Sequence, residues 1–343
     1  MAKSALEQAN EALAAGEDLS QEQAAQALAV IMAGEASDDQ ISALLLGLKA
    51  KGETVDELAG LAETMRAFAT AVKPQRKDLL DTCGTGGGRQ TFNISTTAAL
   101  IAAGAGCAVA KHGNRTATGL SGSADVLEAL GAEFELSPED EASLIDEVGF
   151  GFMFAPAHHG ATRYVAPVRK TLGVSTIFNL LGPLTNPASA RRQLIGVPQP
   201  AAIELVAGAL SRLGTDHALI VSSEDGLDEI STSAPTQVAE LKGGEIRRYS
   251  LTPEQFGIEP ASDEQLRGGD PLQNAGIISA ILSGEQGPQR EVVALNAGAA
   301  IYVAGRAQSI EQGLEVARRT IDSGAAMSTL DRFLERCVAL SSR

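Results

Sequence analysis

The richest group of chemically useful residues is the run DTCGTGGGRQTFNISTT, from Asp81 to Thr97. Four glycines follow a predicted strand and precede a predicted helix start that is rich in hydroxyl side chains. Glycine allows the backbone to approach a ligand closely and to adopt positive φ. N–H groups exposed in such a turn and at the start of a helix bind phosphate. The spacing matches neither a P-loop nor a dinucleotide-binding fingerprint, so the run predicts another kind of phosphate site, with a plain tight turn as the alternative.

A second group, KHGNRTATGLSGSAD from Lys111 to Asp125, places two cations, an imidazole and an amide at the end of a predicted strand. Hydroxyl residues and another predicted helix start follow at once. Charge, hydrogen-bond donors and a helix N-terminus in one loop suit an anionic ligand. Strand ends are where α/β proteins place their sites, which favours a binding loop over a solvated basic turn.

A third group, DGLDEIS from Asp225 to Ser231, follows the predicted strand HALIVSS. Adjacent carboxylates at a strand end suit Mg²⁺, a hard ion that prefers oxygen ligands and often bridges to substrate phosphates. An acidic surface loop is the alternative for this segment.

The elements that must position these groups change type near Pro74. Before it, apolar residues recur at helical spacing only, and capping residues followed by Glu or Gln predict helix starts at Ser20, Ser37 and Thr54. After it, short apolar runs alternate with helical segments, which predicts a parallel or mixed sheet covered by helices. TQVAELKGGEIRRYSL predicts a hairpin. The other strands are predicted at Leu79 to Cys83, Cys107 to Lys111, Phe150 to Phe154, Gln193 to Val197 and His217 to Val221, and helices are predicted to begin near Ser95, Ser123, Ala201, Asp270 and Ser309.

Composition limits the class of partner. The net charge of −16 argues against nucleic-acid binding, which depends on clustered Lys and Arg, so an anionic substrate must be held by a local site. Cys83, Cys107 and Cys337 have no metal-binding spacing and fit a reducing cytoplasm. No apolar run approaches the ~20 residues that span a bilayer, so we expect no membrane association.

In order along the chain, GTGG…TFNIST, KHGNR…SGSADVLEALG, APVRKTLG…TIFNLLGPLTNP and DGLDEIS closely resemble the anthranilate phosphoribosyltransferase family. IMAGEASDDQISALLLGLKAKGET, GGDPLQNAGIISAILSG and VVALNAGAAIY are also similar to the family, so the resemblance covers nearly the whole chain. It implies Mg²⁺-dependent transfer of the phosphoribosyl group of 5-phosphoribosyl 1-diphosphate (PRPP) to the amine of anthranilate, in tryptophan biosynthesis.

The resemblance also implies a fold and an assembly. The fold is α/β and nucleoside phosphorylase/phosphoribosyltransferase-like, with a small all-helical domain and a larger domain whose mixed, mostly parallel sheet is covered by helices. The helical domain is expected over 1–73, joined by an insertion near 172–191, and the α/β domain over 74–171 and 192–343. A homodimer is expected to form through the helical domains.

By position, the resemblance implies three sets of site residues. Ser95, Asp228 and Glu229 are expected to hold Mg²⁺. Asn114 and Arg169 are expected to face anthranilate with help from Gly84, His112 and His159, and Arg169 and His112 are the catalytic candidates. The residues expected to contact PRPP are Gly84, Gly87, Gly88, Thr91, Asn93, Ser95, Thr96, Lys111, Ser121 and Ser123.

The chain departs from the family pattern at four places, which concern affinity and metal use more than the reaction class. The glycine-rich turn is one residue shorter and lacks the usual Asp, so Arg89 is expected either to lie beside the PRPP phosphates or to point into solvent. Leu120 stands where many relatives have Lys, Gly160 where Pro is usual, and Ser175 where Arg is frequent.

Two other classes of protein compete with this interpretation. A nucleoside phosphorylase also uses a glycine-rich turn and a Lys-Ser loop, but the Asp228-Glu229 pair and KHGNR favour a diphosphate donor. A non-catalytic relative that binds nucleic acid would need a basic groove, which the net charge of −16 disfavours.

Overall fold

The N-terminal segment is a helical bundle in the computed structural model of the chain, which describes residues 3–116 and 119–342. The three predicted capping boxes are present at Ser20, Ser37 and Thr54, and a fourth, which we did not predict, is present at Ser4. The bundle consists of α1 (Ala5–Ala14), α2 (Gln21–Met32), α3 (Asp38–Lys51) and α4 (Val55–Ala67).

Strands and helices alternate in the rest of the chain. Short 3-10 helices lie at Gly160–Tyr164, Gly182–Leu184 and Pro253–Phe256. The other elements are β1 (Leu79–Gly84), α5 (Ile94–Gly104), β2 (Ala108–Gly113), α6 (Ser123–Ala129), α7 (Pro138–Val148), β3 (Phe150–Phe154), α8 (Ala155–His158), α9 (Ala166–Leu172), α10 (Phe178–Leu181), β4 (Arg192–Gly196), α11 (Ala202–Arg212), β5 (His217–Ser223), β6 (Thr236–Lys242), β7 (Glu245–Leu251), α12 (Pro271–Leu282), α13 (Pro288–Val303), α14 (Ile310–Asp322) and α15 (Ala325–Ser341).

The strands form one sheet in the order β3-β2-β1-β4-β5-β6-β7. β1 to β5 pair in parallel, and β6 and β7 form the predicted antiparallel hairpin against β5. The predicted fold class, a helical domain plus a mostly parallel sheet covered by helices, is confirmed. From β1 the chain adds β2 and then β3 on one side, and it then crosses over to add β4 on the other side of β1. A crevice at such a switch point is where open α/β sheets bind ligands.

Helices cover both faces of the sheet, so the central strands are buried on both sides. Along β5, Leu219 and Val221 belong to one core with α5 and α12–α15, whereas Ala218 and Ile220 belong to a second core with α11 and the N-terminal helices. This alternation follows from the two-residue period of a strand. α11 packs on α4, and α9 and α10 pack on α3 and α4. None of the described helices is long and apolar enough to cross a membrane.

Candidate active site at the switch point

The glycine-rich turn, residues 84–90, leaves the end of β1 and crosses the end of β4. The Thr85 N–H donates to the Gly196 carbonyl at 3.0 Å, which anchors the start of the turn. Gly87 has a φ of +85°, a conformation that side chains disfavour, and an added Cβ there would meet open space. At Gly87 the turn therefore presents its backbone to open space, as a phosphate-binding turn requires.

The acidic loop after β5 lies against this turn. A Cβ at Gly196 would overlap the Asp228 carbonyl oxygen, and a Cβ at Gly88 would overlap the Asp228 carboxylate, so glycines permit the close approach. Asp228 accepts the Gly86 N–H, and Glu229 accepts the Ser95 N–H at the start of α5. The structure thus brings together the three residues predicted to hold Mg²⁺.

Asp228 and Glu229 keep part of their surface exposed, but enough protein surrounds their carboxyl groups to raise the pKa of both. Burial raises the pKa of Asp228, and burial together with the Asp228 charge raises the pKa of Glu229 to about 8. Two crowded carboxylates whose pKa stays raised despite the charge of the nearby Lys111 are a suitable place for a divalent metal ion. In the described part of the chain, no three His, Cys, Asp or Glu side chains form a metal cluster. Mg²⁺ suits a pair all the same, because it keeps waters and takes substrate phosphate oxygens as ligands.

Lys111 reaches from β2 into the space between β1 and the acidic loop. Only 1% of its surface is exposed, its Nζ donates to the Thr82 carbonyl, and its Nζ lies 3.4 Å from the Ser95 Oγ. Burial lowers the pKa of Lys111, while the charges of Asp81 and Glu229 oppose that shift. The ammonium is therefore held beside Ser95 and the carboxylate pair.

Asp81, to which we assigned no role, organises the strand ends. It is completely buried, and its carboxylate accepts the His112 N–H at 3.1 Å and the Asn186 Nδ2 at 2.8 Å. Burial raises its pKa, and the charge of Lys111 opposes the shift. Asn186 lies 105 residues further along the chain, so local sequence gave no indication of the pairing.

The other residues predicted to contact PRPP surround the start of α5. Asn93 precedes the helix and bonds Ser121 twice, through its Nδ2 to the Ser121 carbonyl at 3.0 Å and through its Oδ1 to the Ser121 Oγ at 3.2 Å. Ser123 donates to the carbonyl of the exposed Asn114 at 3.2 Å. Thr91 donates to the Phe92 carbonyl at 3.1 Å, and the buried Thr96 hydroxyl has no partner among the described residues.

His112 and His159 form a buried pair whose rings lie 5.1 Å apart. His112 Nδ1 contacts the Gly182 carbonyl at 3.2 Å, and each Nε2 has no partner among the described residues. Burial and the charge of His159 lower the pKa of His112 to about 3, and burial and the charge of His158 lower the pKa of His159 to about 4. Both imidazoles are therefore neutral at physiological pH.

We expect His159 to make folding sensitive to acid. An unfolded His has a pKa near 6.5, so below that value the unfolded chain binds a proton that folded His159 does not, and stability falls as pH falls. Replacing His159 with Gln should therefore cost about 2 kcal/mol less at about pH 5 than at about pH 7.5. Urea unfolding at both pH values measures this.

His158 provides the opposite control. Its side chain contacts Glu141 at 2.9 Å and the Thr70 carbonyl at 2.8 Å. Burial alone would lower the pKa of His158, but the interaction with Glu141 outweighs burial, so the pKa is raised. Its contribution is present at low pH and is lost as pH rises through its folded pKa. His158→Gln should thus cost more at the lower pH. Equal costs at both pH values for His159→Gln would contradict the prediction.

Arg169, on α9, carries a charge without an acidic partner within the described ranges. Its Nη2 donates to the Asn179 Oδ1 at 3.4 Å, and its guanidinium lies 5.5 Å from the centre of the Phe178 ring. Burial lowers the pKa of Arg169, because its charge is partly removed from water. A ligand carboxylate at this place would therefore pair with a guanidinium that no acidic residue of the described chain neutralises. The Asn179 Oδ1 also accepts the Thr176 N–H at 3.0 Å, which fixes the amide.

Two other arginines are engaged elsewhere. The Arg89 Nη1 pairs with Asp263 at 2.5 Å and with Asp225 at 3.1 Å, so two carboxylates compensate the charge of Arg89 and the side chain does not simply point into solvent. Arg115 pairs with Asp125 and Glu128 on α6 and therefore supports the loop from outside. Of the other departures, Leu120 is exposed, and the Ser175 carbonyl accepts the Lys49 ammonium at 2.8 Å.

Sequence comparisons agree with this architecture. A model described as glycosyl transferase family, a/b domain, matches residues 76–327, and one described as glycosyl transferase family, helical bundle domain, matches residues 7–69. The fold and these matches define the class of protein as a glycosyl transferase.

The individual relatives identify the family within the glycosyl transferases. An anthranilate phosphoribosyltransferase from Symbiobacterium thermophilum is 52% identical over 324 residues, 94% of this chain and 95% of the relative. The structure of anthranilate phosphoribosyltransferase from Thermus thermophilus has a TM-score of 0.91 and 45% identity, covering 96% of this chain and 99% of that one. The Saccharomyces cerevisiae enzyme in complex with PRPP and Mg has a TM-score of 0.88 and 27% identity over 98% of each chain. The chain belongs to the anthranilate phosphoribosyltransferase family, as its motifs predicted.

Proposed function

We infer that the chain transfers the phosphoribosyl group of PRPP to the amine of anthranilate, giving N-(5-phosphoribosyl)anthranilate and diphosphate, in tryptophan biosynthesis. The observation that carries this inference is the glycine-rich turn folded against the Asp228–Glu229 pair at the switch point of the sheet. A phosphate cradle and a hard-cation site at one edge suit a substrate that carries a diphosphate. The activity named for the relatives, and the PRPP and Mg bound in the Saccharomyces cerevisiae structure, agree with that geometry.

Departure of diphosphate from the anomeric carbon requires neutralisation of its growing charge. Ser95, Asp228 and Glu229 would hold Mg²⁺, and the bound ion would supply electrostatic stabilisation of the leaving group's charge. The chain adds the backbone donors of the glycine-rich turn and the ammonium of Lys111 next to Ser95. We assign to PRPP contact the residues that line this edge, namely Gly84, Gly87, Gly88, Thr91, Asn93, Ser95, Thr96, Lys111, Ser121 and Ser123.

Attack by anthranilate needs orientation more than proton abstraction. Its amine is already neutral, and orienting two reactants is worth up to ~7–11 kcal/mol. We place the anthranilate carboxylate at Arg169, with Asn114 beside it and Gly84 and His159 completing the subsite. His112 is neutral, and its Nε2 is free of protein partners in the described chain, so it can orient the amine without bearing charge.

We also propose the domain division and the assembly. The helical domain comprises 1–73 with the segment near 172–191, and the α/β domain comprises 74–171 and 192–343; the packing of α10 on α4 supports the joining of the two helical parts. Leu46, Phe68 and Val174, all in the proposed helical domain, are 43–44% exposed, and exposed apolar side chains there support a homodimer through that domain. A monomer in sedimentation experiments would contradict the dimer.

A cytoplasmic location is proposed because all three cysteines are unpaired and buried. Fractionation of cells that express the chain would test it.

Loss of anthranilate fluorescence tests the reaction directly. Pure protein should consume anthranilate only when PRPP and Mg²⁺ are both present, because the phosphate site and the metal site must be filled together for diphosphate to leave. Omitting PRPP, or removing the metal with a chelator, is the control. Absence of turnover at neutral pH, together with phosphorolysis of a nucleoside, would replace this function with that of a phosphorylase.

A further inference from the structure

Two C-terminal motifs contribute no side chain to the proposed site. GGDPLQNAG, residues 268–276, opens α12, and VVALNAG, residues 292–298, lies in α13. Each motif contains one fully enclosed asparagine, Asn274 with 1% of its surface exposed and Asn296 with none. A buried amide costs free energy unless its donor and acceptor atoms are bonded. The bonds of these two amides lead to the two loops that form the proposed site.

Asn274 holds Asn93. Its Nδ2 donates to the Asn93 Oδ1 at 2.9 Å, and its own Oδ1 accepts the Gly269 N–H at 2.7 Å. The orientation of each amide is fixed by a backbone group, because the Gly269 N–H can only donate and the Ser121 carbonyl bonded to Asn93 Nδ2 can only accept. Asn93 makes no side-chain bond to cap its own helix. Its conformation is therefore set by Asn274 and Ser121.

The same C-terminal segment supports the turn from behind. A Cβ at Gly268 would lie 2.5 Å from the Phe92 nitrogen. The segment that contains Gly268 therefore packs directly on the backbone that precedes Asn93. Arg89 of the glycine-rich turn pairs with Asp263 in the same segment. Loss of the Asn274 bond would consequently leave Asn93 held by Ser121 alone, without releasing the whole turn.

Asn296 holds the acidic loop. Its Oδ1 accepts the Ile230 N–H at 2.9 Å, and its Nδ2 donates to the Ile230 carbonyl at 2.9 Å and to the Val292 carbonyl at 2.8 Å. Ile230 directly follows Glu229, and both of its backbone polar groups are buried against this amide. An apolar side chain at position 296 would leave them unpaired, and the loop would have to shift to reach water.

We propose that Asn274 and Asn296 are positioning residues, Asn274 for the PRPP-contacting conformation of Asn93 and the Ser121 loop, and Asn296 for the backbone that carries Asp228 and Glu229. Neither touches a substrate. The inference rests on the proposed function, which assigns PRPP and Mg²⁺ to these two loops. It predicts that the two asparagines affect different ligands although both are buried amides.

The test compares Asn274→Asp and Asn296→Asp. Each substitution keeps the acceptor oxygen and the size of the side chain, replaces the donating NH₂ with a second oxygen, and when ionised adds a negative charge that repels the oxygen atoms the NH₂ had bonded. Asn274→Asp should raise the KM for PRPP roughly tenfold and leave the Mg²⁺ titration at saturating PRPP unchanged. Asn296→Asp should raise the Mg²⁺ concentration for half-maximal activity roughly tenfold, with a small change in the KM for anthranilate.

Arg290→Met is the matched control. Arg290 is also buried, lies on α13 like Asn296, and bonds the Gly284 carbonyl at 3.1 Å and Asp322 at 2.7 Å, away from both loops. Its replacement should lower the thermal unfolding temperature without moving either titration. If all three variants lose activity in proportion to stability, the asparagines are structural and the proposal is wrong.

Two further measurements separate the possible failures. Calorimetric titration with PRPP and Mg²⁺ reports the same shifts in affinity without turnover, so an inactive wild-type protein would overturn the proposed function and still test the positioning role. If Asn296→Asp does not fold, Asn296→Ser, which retains a hydroxyl that can accept the Ile230 N–H, is titrated instead. Unchanged PRPP and Mg²⁺ affinities in folded variants would overturn the inference.

Discussion

Replacing Asp228 with Asn, or Glu229 with Gln, is expected to lower kcat by about 10²-fold or more at fixed Mg²⁺ and to raise the Mg²⁺ concentration required for half-maximal activity. Stabilisation by a metal ion contributes several kcal/mol to charge developing in a transition state, and each 1.36 kcal/mol is worth tenfold in rate. Hard-cation sites depend on carboxylate charge, and the neutral amides keep the shape of the side chains while removing it. Kinetics with Mg²⁺ varied at saturating PRPP measure both effects.

Asp225 provides the control from the same loop. Its carboxylate accepts the Ser231 hydroxyl at 2.8 Å and pairs with Arg89 at 3.1 Å, so it is already occupied by protein groups. Asp225→Asn should reduce thermal stability and leave the Mg²⁺ requirement unchanged. If the Asp228 and Glu229 variants also titrate like wild type, the loop is an acidic surface turn and the metal lies elsewhere.

The elements of the fold could be predicted because their signals are local. A helix start at Ser37 depends on Gln40, three residues away, and the hairpin of β6 and β7 depends on the two glycines between its strands. The predicted strand Phe150 to Phe154 has the bounds that the structure gives. The ends of β1 and β2 extend beyond the prediction, because the glycines that close them still pair in the sheet.

The interactions behind the site could not be predicted in this way. Asn274 bonds Asn93 across 181 residues, and Arg89 bonds Asp263 across 174 residues. No periodicity relates positions so far apart, and either partner alone has an unremarkable sequence context. The sequence therefore allows Arg89 to face either phosphate or solvent, whereas in the structure two carboxylates from distant segments compensate its charge. Arg115 differs, because its partners Asp125 and Glu128 lie only 10 and 13 residues away, in the next helix. Such pairing can be predicted from local sequence.

Motif order along the chain predicted the family, and the folded chain explains why the motifs must occur together. Gly196 at the end of β4 and the glycine-rich turn after β1 both lack side chains where Asp228, from the loop after β5, packs against them. The phosphate-binding and metal-binding segments therefore share one contact surface at the switch point.

Arg169→Ala is expected to raise the KM for anthranilate ~10–150-fold while leaving the KM for PRPP within about twofold, because a charge-assisted hydrogen bond is worth roughly 1.5–3 kcal/mol. The structure strengthens this expectation, since burial lowers the pKa of Arg169 and the described residues offer it no carboxylate. Arg163→Ala is the matched control. Arg163 lies on the same segment, is exposed and stacks on Tyr164, 4.7 Å from the centre of the ring, so its loss should change neither KM.

A substrate without the carboxylate isolates the interaction. Aniline retains the attacking amine but has nothing for Arg169 to bind, so wild type and Arg169→Ala should use it with similar kcat/KM, and the penalty of the variant should appear only with anthranilate. Arg169→Lys should recover part of the loss, because an ammonium keeps the charge but cannot form the two parallel bonds of a guanidinium. A rise in the KM for PRPP in Arg169→Ala, with the KM for anthranilate unchanged, would instead place Arg169 in the phosphate site and leave the anthranilate carboxylate to other residues of the subsite.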